Sequence, residues 1–151
     1  MQKIKITKMT KDDIDEICAI ENSAFPIPWE RETFEKELSN MLATYLIAKI
    51  DNKVVGFIGA WFIMDECQIT NLAIHQDYRK NGIATQLVAE LFKECKKHKS
   101  NYIMLEVRAN NFAAQKLYKK CGFEEEVIRK GYYKNPDGTR EDALVMSITT
   151  E

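Results

Sequence analysis

The sequence predicts a single α/β domain, spanning residues 1–151, with a mixed and mostly antiparallel sheet flanked by helices. Three observations predict it. Two runs rich in β-branched and aromatic residues, 44–50 and 53–64, are separated only by Asp51-Asn52 and so read as a hairpin. An apolar run at 67–74 leads through a basic, glycine-containing loop into the strongest helical periodicity of the chain. Strand, helix, strand, helix then follow one another, which requires a right-handed crossover and one locally parallel strand pair. At 151 residues the chain can bury about two thirds of its unfolded surface, enough for a core without disulfide or metal staples.

Residues 3–8 alternate, with Ile4 and Ile6 on one face, and read as a half-buried first strand. Thr10 with Asp13 has the spacing of a capping box, and Ile14, Ile17 and Cys18 then recur at helical intervals. Residues 25–29, F-P-I-P-W, cannot be regular, because Pro26 and Pro28 lack N–H donors and push their predecessors toward extended geometry. A short helix over 30–38 follows, with Phe34 and Leu38 four residues apart; this helix pair is core packing or a lid over a cleft, and packing is the plainer reading. After the hairpin, Asp65-Glu66 breaks the chain before the 67–74 strand. The helix beyond Gly82 carries Ala84, Leu87, Val88, Leu91, Phe92 and Cys95 on one stripe, with Lys96, Lys97 and Lys99 complementing its dipole. A short strand, 102–107, is interrupted by Glu106. Asn110 or Asn111 then caps a helix bearing Ala113, Ala114, Leu117, Tyr118 and Cys121, and Gly122 suits its left-handed end. Strands at 125–133 and 142–148 close the chain around the turn at 135–138.

Lys+Arg 22 against Asp+Glu 23 leaves a net charge of -1, so neither nucleic acid nor an acidic membrane is an expected partner. Cys18, Cys67, Cys95 and Cys121 are scattered among apolar neighbours without a C-x-x-C pair, which favours buried thiols in a reducing cytosol. His75 and His98 make a poor metal site and are expected on the solvated surface. No metal is expected. The N-terminus has no apolar signal core and no run reaches membrane-spanning length, so a cytoplasmic protein is expected.

The junction at 71–85, N-L-A-I-H-Q-D-Y-R-K-N-G-I-A-T, favours an anion. A helix start offers unpaired N–H groups and the positive end of the dipole, Arg79 and Lys80 add charge, and Gly82 and Ala84 keep the surface low. Alone, R-x-x-G-x-A is weak, since a glycine after a basic loop is more often punctuation. It is neither a nucleotide P-loop, lacking G-K-[ST], nor a dinucleotide fingerprint.

With all elements in order, the chain resembles the GNAT superfamily of acetyl-CoA-dependent N-acetyltransferases over nearly its whole length. More narrowly, F-P-I-P-W (25–29), N-L-A-I (71–74), L-E-V-R-A-N-N (105–111), L-Y-K-K-C-G-F (117–123) and G-Y-Y-K-N-P-D-G-T-R-E-D-A-L-V-M (131–146) look like the RimI type, which acetylates the N-terminal alanine of a small-subunit ribosomal protein. The resemblance implies a GNAT fold in which two parallel strands splay apart and hold acetyl-CoA as co-substrate. It implies that Leu72, Ala73 and Ile74 offer backbone groups to the acetyl and pantetheine part, with the Ile74 N–H facing the carbonyl oxygen. Lys80, Asn81, Gly82, Ile83, Ala84 and Thr85 would hold the pyrophosphate, and Asn111 would touch the pantetheine. Ala84 stands where the commonest family form has a second glycine.

Glu106 is the candidate general base and Tyr118 the candidate acid for the departing sulfur. Their plain alternatives are a carboxylate paired with Arg108 and the polar end of a core aromatic. A thiol pKa near ~8.5 makes the thiolate a tolerable leaving group, so losing Tyr118 should hurt less than losing Glu106. Tyr132 and Tyr133 could flank an incoming peptide, or serve only as cross-strand packing. The acceptor chemistry favours an α-amine: at a pKa of about 7.7 to 8 it is roughly a tenth neutral at pH 7, whereas lysine at about 10.4 is neutral in fewer than about one molecule in a thousand. The expected acceptor is thus a ribosomal-protein N-terminal peptide and the expected state a monomer. The alternatives are acetylation of a small amine or protein lysine, and a non-catalytic acyl-CoA sensor.

Overall fold

The computed structural model describes residues 3–150. Its elements are β1 (Lys5–Lys8), α1 (Ile14–Ala24), α2 (Arg31–Leu38), β2 (Ala43–Ile50), β3 (Lys53–Ile63), β4 (Glu66–Ile74), α3 (Ile83–Lys97), β5 (Tyr102–Arg108), α4 (Phe112–Lys120), β6 (Glu124–Lys134) and β7 (Arg140–Thr149). The strands form one sheet in the order β1-β2-β3-β4-β5-β7-β6, antiparallel except at β4-β5, as the crossover through α3 demands. Among the described residues no helix is long and apolar enough to cross a membrane.

Local chemistry explains most boundaries. Asp51 and Asn52 both adopt positive φ, the geometry of a tight hairpin turn whose twist matches its strands. Thr10 N–H donates to Asp13 Oδ2 at 2.8 Å, closing the expected capping interaction ahead of α1. Asn111, rather than Asn110, caps α4, its Oδ1 accepting from Ala114 N–H at 3.1 Å.

Helices cover both faces. Leu87, Val88, Leu91 and Cys95 of α3 and Tyr118 of α4 pack with Ile58, Ile69, Leu105 and Met146 on one side. On the other, Ile14, Ile17 and Ile20 of α1 meet Phe34, Tyr45, Ile47 and Phe57, with the Phe34 ring edge-on to Phe57 at 5.9 Å. Two sequence expectations need correction. Leu38 lies in solvent while Glu37 is buried, receiving the Trp61 indole N–H at 3.0 Å, because α2 touches the rest of the molecule by a narrow strip. Ile83 joins the core in place of Ala84, which sits at the groove edge. His98 is exposed, as expected, and stacks flat on Phe62 with 3.9 Å between ring centroids. All four cysteines are free thiols, Cys67 and Cys95 buried and Cys18 and Cys121 half-buried.

The sheet is divided at its centre. β4 and β5 pair only from Glu66 with Tyr102 to Gln68 with Met104. Just beyond, Ile69 faces Ala60 and Asn71 faces Gly59, so Thr70 is an extra residue in β4, a bulge that bends the strand. β4 stays paired with β3 to Ile74 and β5 stays paired with β7 to Arg108. Residues 69–74 and 105–108 therefore keep their outer neighbours and lose each other, which opens a crevice.

Candidate active site

The crevice is floored by residues of both parted strands, including Thr70, Leu72, Glu106 and Arg108, and walled by Phe25, Trp29, Tyr118 and Tyr133. It runs on into a wider groove bounded by Ile74, Arg79, Lys80, Gly82 and Thr85; Phe25, Leu72, Asn111, Ala114 and Tyr118 line both parts. The two form one slot.

One wall of the slot is main chain. His75 N–H donates to Val55 O at 2.8 Å. Because bonded pairs alternate along an antiparallel ladder, Ala73 directs its groups at Phe57, while Leu72 and Ile74 turn theirs toward the gap left by β5. Arg79 Nε already uses Ile74 O, at 3.3 Å. The expectation that Ala73 offers its own backbone groups is thus corrected: it lines the groove with its bonds spent on β3.

The groove ends at α3. Gly82 is the N-cap in left-handed geometry, φ +76°, with no side-chain cap, and the first intrahelical bond runs from Gln86 N–H to Gly82 O at 3.1 Å. The N–H groups of Ile83, Ala84 and Thr85 precede that bond and have no partner within the helix. A Cβ built on Gly82 would meet nothing within 4 Å. Lys80 also has positive φ, and Asn81 Nδ2 donates to Tyr78 O at 3.1 Å, which shapes the loop. Unpaired amides, a dipole terminus, a nearby lysine and open space suit a phosphate-bearing ligand.

The opposite wall is side chains. β5 alternates strictly, burying Ile103, Leu105 and Val107 against α3 and α4, so Glu106 does not interrupt an apolar strand but belongs to its other face. Its side chain is only 10% exposed. Glu106 Oε1 accepts the Tyr132 hydroxyl at 3.1 Å, and Arg129 Nε lies 3.3 Å from Oε2, an ion pair whose geometry leaves that oxygen without a hydrogen-bond donor. Arg108 is not its partner. That guanidinium bonds Glu141 Oε1 at 3.0 Å and Asn135 Oδ1 at 2.8 Å, and stacks over Tyr133 at 4.6 Å. Tyr132 therefore touches the carboxylate itself, while Tyr133 is held as a wall.

Tyr118 is buried on α4 yet reaches both parts of the slot. Burial pushes its hydroxyl well above the ordinary tyrosine range, and Tyr133 and Cys121 add to the shift, so it keeps its proton. Asn111 lies where the two parts meet. Its Oδ1 is engaged in the cap, which leaves its NH₂ as the group available to a ligand.

Sequence reasoning missed Glu21, Thr70, Asn71 and Arg129. Glu21 and Arg129 resembled solvated helix and strand charges; only the burial of one and the pairing of the other distinguish them.

The sequence pattern of the Acetyltransferase (GNAT) family matches residues 14–123. The ribosomal protein bS18-alanine N-acetyltransferase of Escherichia coli (strain K12) is 32% identical over 143 residues, covering 95% of each chain. A Bacillus subtilis (strain 168) relative, whose name assigns it provisionally to the same activity, is 39% identical over 148 residues, covering 97% of this chain and 96% of its own. The crystal structure of the E. coli ribosomal-protein-S18-alanine N-acetyltransferase superposes with a TM-score of 0.90 at 31% identity, covering 99% of this chain and 95% of that one. Arabidopsis thaliana NAA60, crystallised in complex with acetyl-CoA, shares the fold with a TM-score of 0.89 at 22% identity, covering 97% and 98% of the two chains. A split sheet with an uncapped helix start at one end of the gap, matched along its length by such relatives, leaves one assignment: the chain belongs to the acetyltransferase (GNAT) family.

Proposed function

We propose that this N-acetyltransferase moves the acetyl group of acetyl-CoA to the α-amine of the N-terminal alanine of ribosomal protein bS18. The observation that carries the reading is the crevice between β4 and β5, with a backbone wall on one side and Glu106 and Tyr118 facing it from the other. Relatives named for this activity support the acceptor.

The residues present fit acetyl-CoA. Leu72 and Ile74 have strand groups without a strand partner, which suits the two amides of a pantetheine arm and leaves the Ile74 N–H as donor to the acetyl oxygen. Lys80, Asn81, Gly82, Ile83, Ala84 and Thr85 receive the pyrophosphate at the start of α3. The Asn111 NH₂ contacts the pantetheine between these two points.

Glu106 accepts the proton of the incoming ammonium, directly or through one water, and so makes a neutral nucleophile. Tyr132 and Arg129 fix the carboxylate against the β6 side of the slot, which leaves it little rotational freedom. Tyr118, protonated throughout the working range, supplies a proton to the departing sulfur. Phe25, Ile27, Trp29 and Tyr133 exclude water from the acceptor end.

A synthetic peptide with the bS18 N-terminal sequence and an internal lysine, incubated with acetyl-CoA and sequenced by mass spectrometry, tests the reading. Acetyl on the α-amine is the expected result. Acetyl on lysine beside a free α-amine, or no transfer, would overturn it.

A further inference from the structure

The acceptor wall contains a buried charge that the reaction above does not use. Glu21, on the last turn of α1, is 2% exposed and lines the crevice. Its Oε2 accepts Trp29 N–H at 3.0 Å, whereas Oε1 has no hydrogen-bond partner among the described residues. The Asn71 amide lies beside this carboxylate, and Asn71 Nδ2 is likewise buried without a partner. Asn71 Oδ1 is taken by the Thr70 hydroxyl at 2.8 Å, and the Tyr45 hydroxyl lies 3.2 Å from the same Thr70 oxygen. That orientation turns the Asn71 NH₂ toward Glu21. One donor, from residues 25–29, is thus bonded to the carboxylate, and a second, from the residue after the β4 bulge, stands beside it with its hydrogen-bonding capacity unspent.

The carboxylate stands in for main-chain bonds that cannot form. Phe25 N–H closes α1 on Glu21 O at 3.1 Å, but Pro26 and Pro28 have no N–H, so the segment cannot pin itself down as a regular turn would. Burial pushes the Glu21 carboxyl above its usual range, and the Trp29 N–H and the Asn71 amide only partly restore it. As filler, an apolar residue would be more stable here, because an incompletely paired buried carboxylate is costly.

We propose that Glu21 is a positioning residue for the acceptor: it ties residues 25–29 to Asn71 at the crevice floor and so fixes the apolar wall along which the first residues of the acceptor lie. This rests on the acetyl-transfer reading above. Glu21 acts chiefly on the acceptor side, since Trp29, whose N–H it holds, lines the narrow crevice and is absent from the lining of the phosphate groove, while of residues 25–29 Phe25 alone reaches both parts.

The test uses Glu21→Gln, Asn71→Asp and the double variant. Gln at 21 keeps an oxygen for Trp29 N–H but points its NH₂ at the Asn71 NH₂; Asp at 71 sets two carboxylates together. The double variant restores a donor facing an acceptor. Each single variant should raise the peptide KM about tenfold with the acetyl-CoA KM within about twofold of the parent, and the double variant should recover to within about threefold. An unchanged peptide KM, an equal rise in both KM values, or a double variant no better than the singles would overturn the proposal. If a single variant fails to fold, the double variant against the parent still decides it. A second measurement needs no turnover: in a Trp61→Phe background Trp29 is the sole tryptophan, and Glu21→Gln should increase its quenching by acrylamide. Unchanged quenching refutes the tether, whereas a parent enzyme inactive on the peptide refutes the acceptor assignment instead.

Discussion

The two walls of the crevice are built from different materials. On the donor side, the end of β4, the loop through Lys80 and the first turn of α3 present backbone N–H groups, and side chains matter there mainly by being small or absent. On the acceptor side, Glu106, Tyr132, Arg129, Tyr133, Trp29 and Glu21 converge from β5, β6, the α1–α2 connection and α1. A backbone wall is local in the chain and tolerant of substitution. A wall of side chains is dispersed, and single atoms decide its chemistry.

The comparison predicts its sharpest break at Glu106. Glu106→Gln keeps shape and the Tyr132 contact but removes the proton acceptor, so kcat should fall by about 10²- to 10⁴-fold. Acetyl-CoA affinity, measured by calorimetry, should stay within about twofold, since the donor wall is untouched. Turnover at the parental rate by the folded variant would remove Glu106 from the mechanism.

The converse break is at Ala84. Ala84→Glu places an acid in the first turn of α3, which the dipole favours by about 0.3 to 1 kcal/mol, so the melting temperature should hold or rise. The same carboxylate meets the pyrophosphate, and affinity for acetyl-CoA should drop by about 10- to 100-fold. A loss of affinity with a gain in stability would separate ligand contact from folding. Unchanged affinity would place the pyrophosphate elsewhere.

The same division explains what could be read from the sequence. The hairpin turn at Asp51-Asn52, the stripe on α3 from Leu87 onward and the glycine at the helix start are short-range features, and each stands where its local pattern puts it. The narrowness of the contact that exposes Leu38 and buries Glu37 is a tertiary property with no local signature. So are the pairing of Arg108 with Glu141, thirty-three residues on, and of Arg129 with Glu106. The β4 bulge at Thr70 carried no glycine or proline signal within that strand. Its traces lie across the ladder at Gly59, where a Cβ would fall 2.2 Å from the Tyr45 ring and 2.8 Å from Asn71 Oδ1.

Tyr118 bridges the walls, and its effect should be intermediate. Tyr118→Phe removes a hydroxyl that burial holds above the ordinary tyrosine range, and kcat should fall by about tenfold or less, because thiolate departs tolerably without help. A raised pKa keeps the proton on as pH rises, so this hydroxyl should not titrate between about pH 6 and 9. The pH profiles of parent and variant should run parallel there; an alkaline limb lost in the variant would mean that Tyr118 ionises in that range.

The smallest effects, at Gly82, separate two reasons for having a glycine. With φ at +76°, any Cβ is strained, and Gly82→Ala should cost about 1 to 2 kcal/mol, or several degrees of melting temperature. Asparagine tolerates left-handed geometry better, so Gly82→Asn should melt between the two. The empty space above Gly82 sets the opposite order for binding. If acetyl-CoA passes over this position, the larger asparagine side chain should weaken affinity more than alanine does, by roughly fivefold against roughly twofold. Crossed rankings, stability falling from Gly to Asn to Ala and affinity from Gly to Ala to Asn, would mean that the backbone conformation and the bare surface are separate requirements. Parallel rankings would reduce Gly82 to a turn residue and leave the phosphate to the amides of Ile83, Ala84 and Thr85 alone.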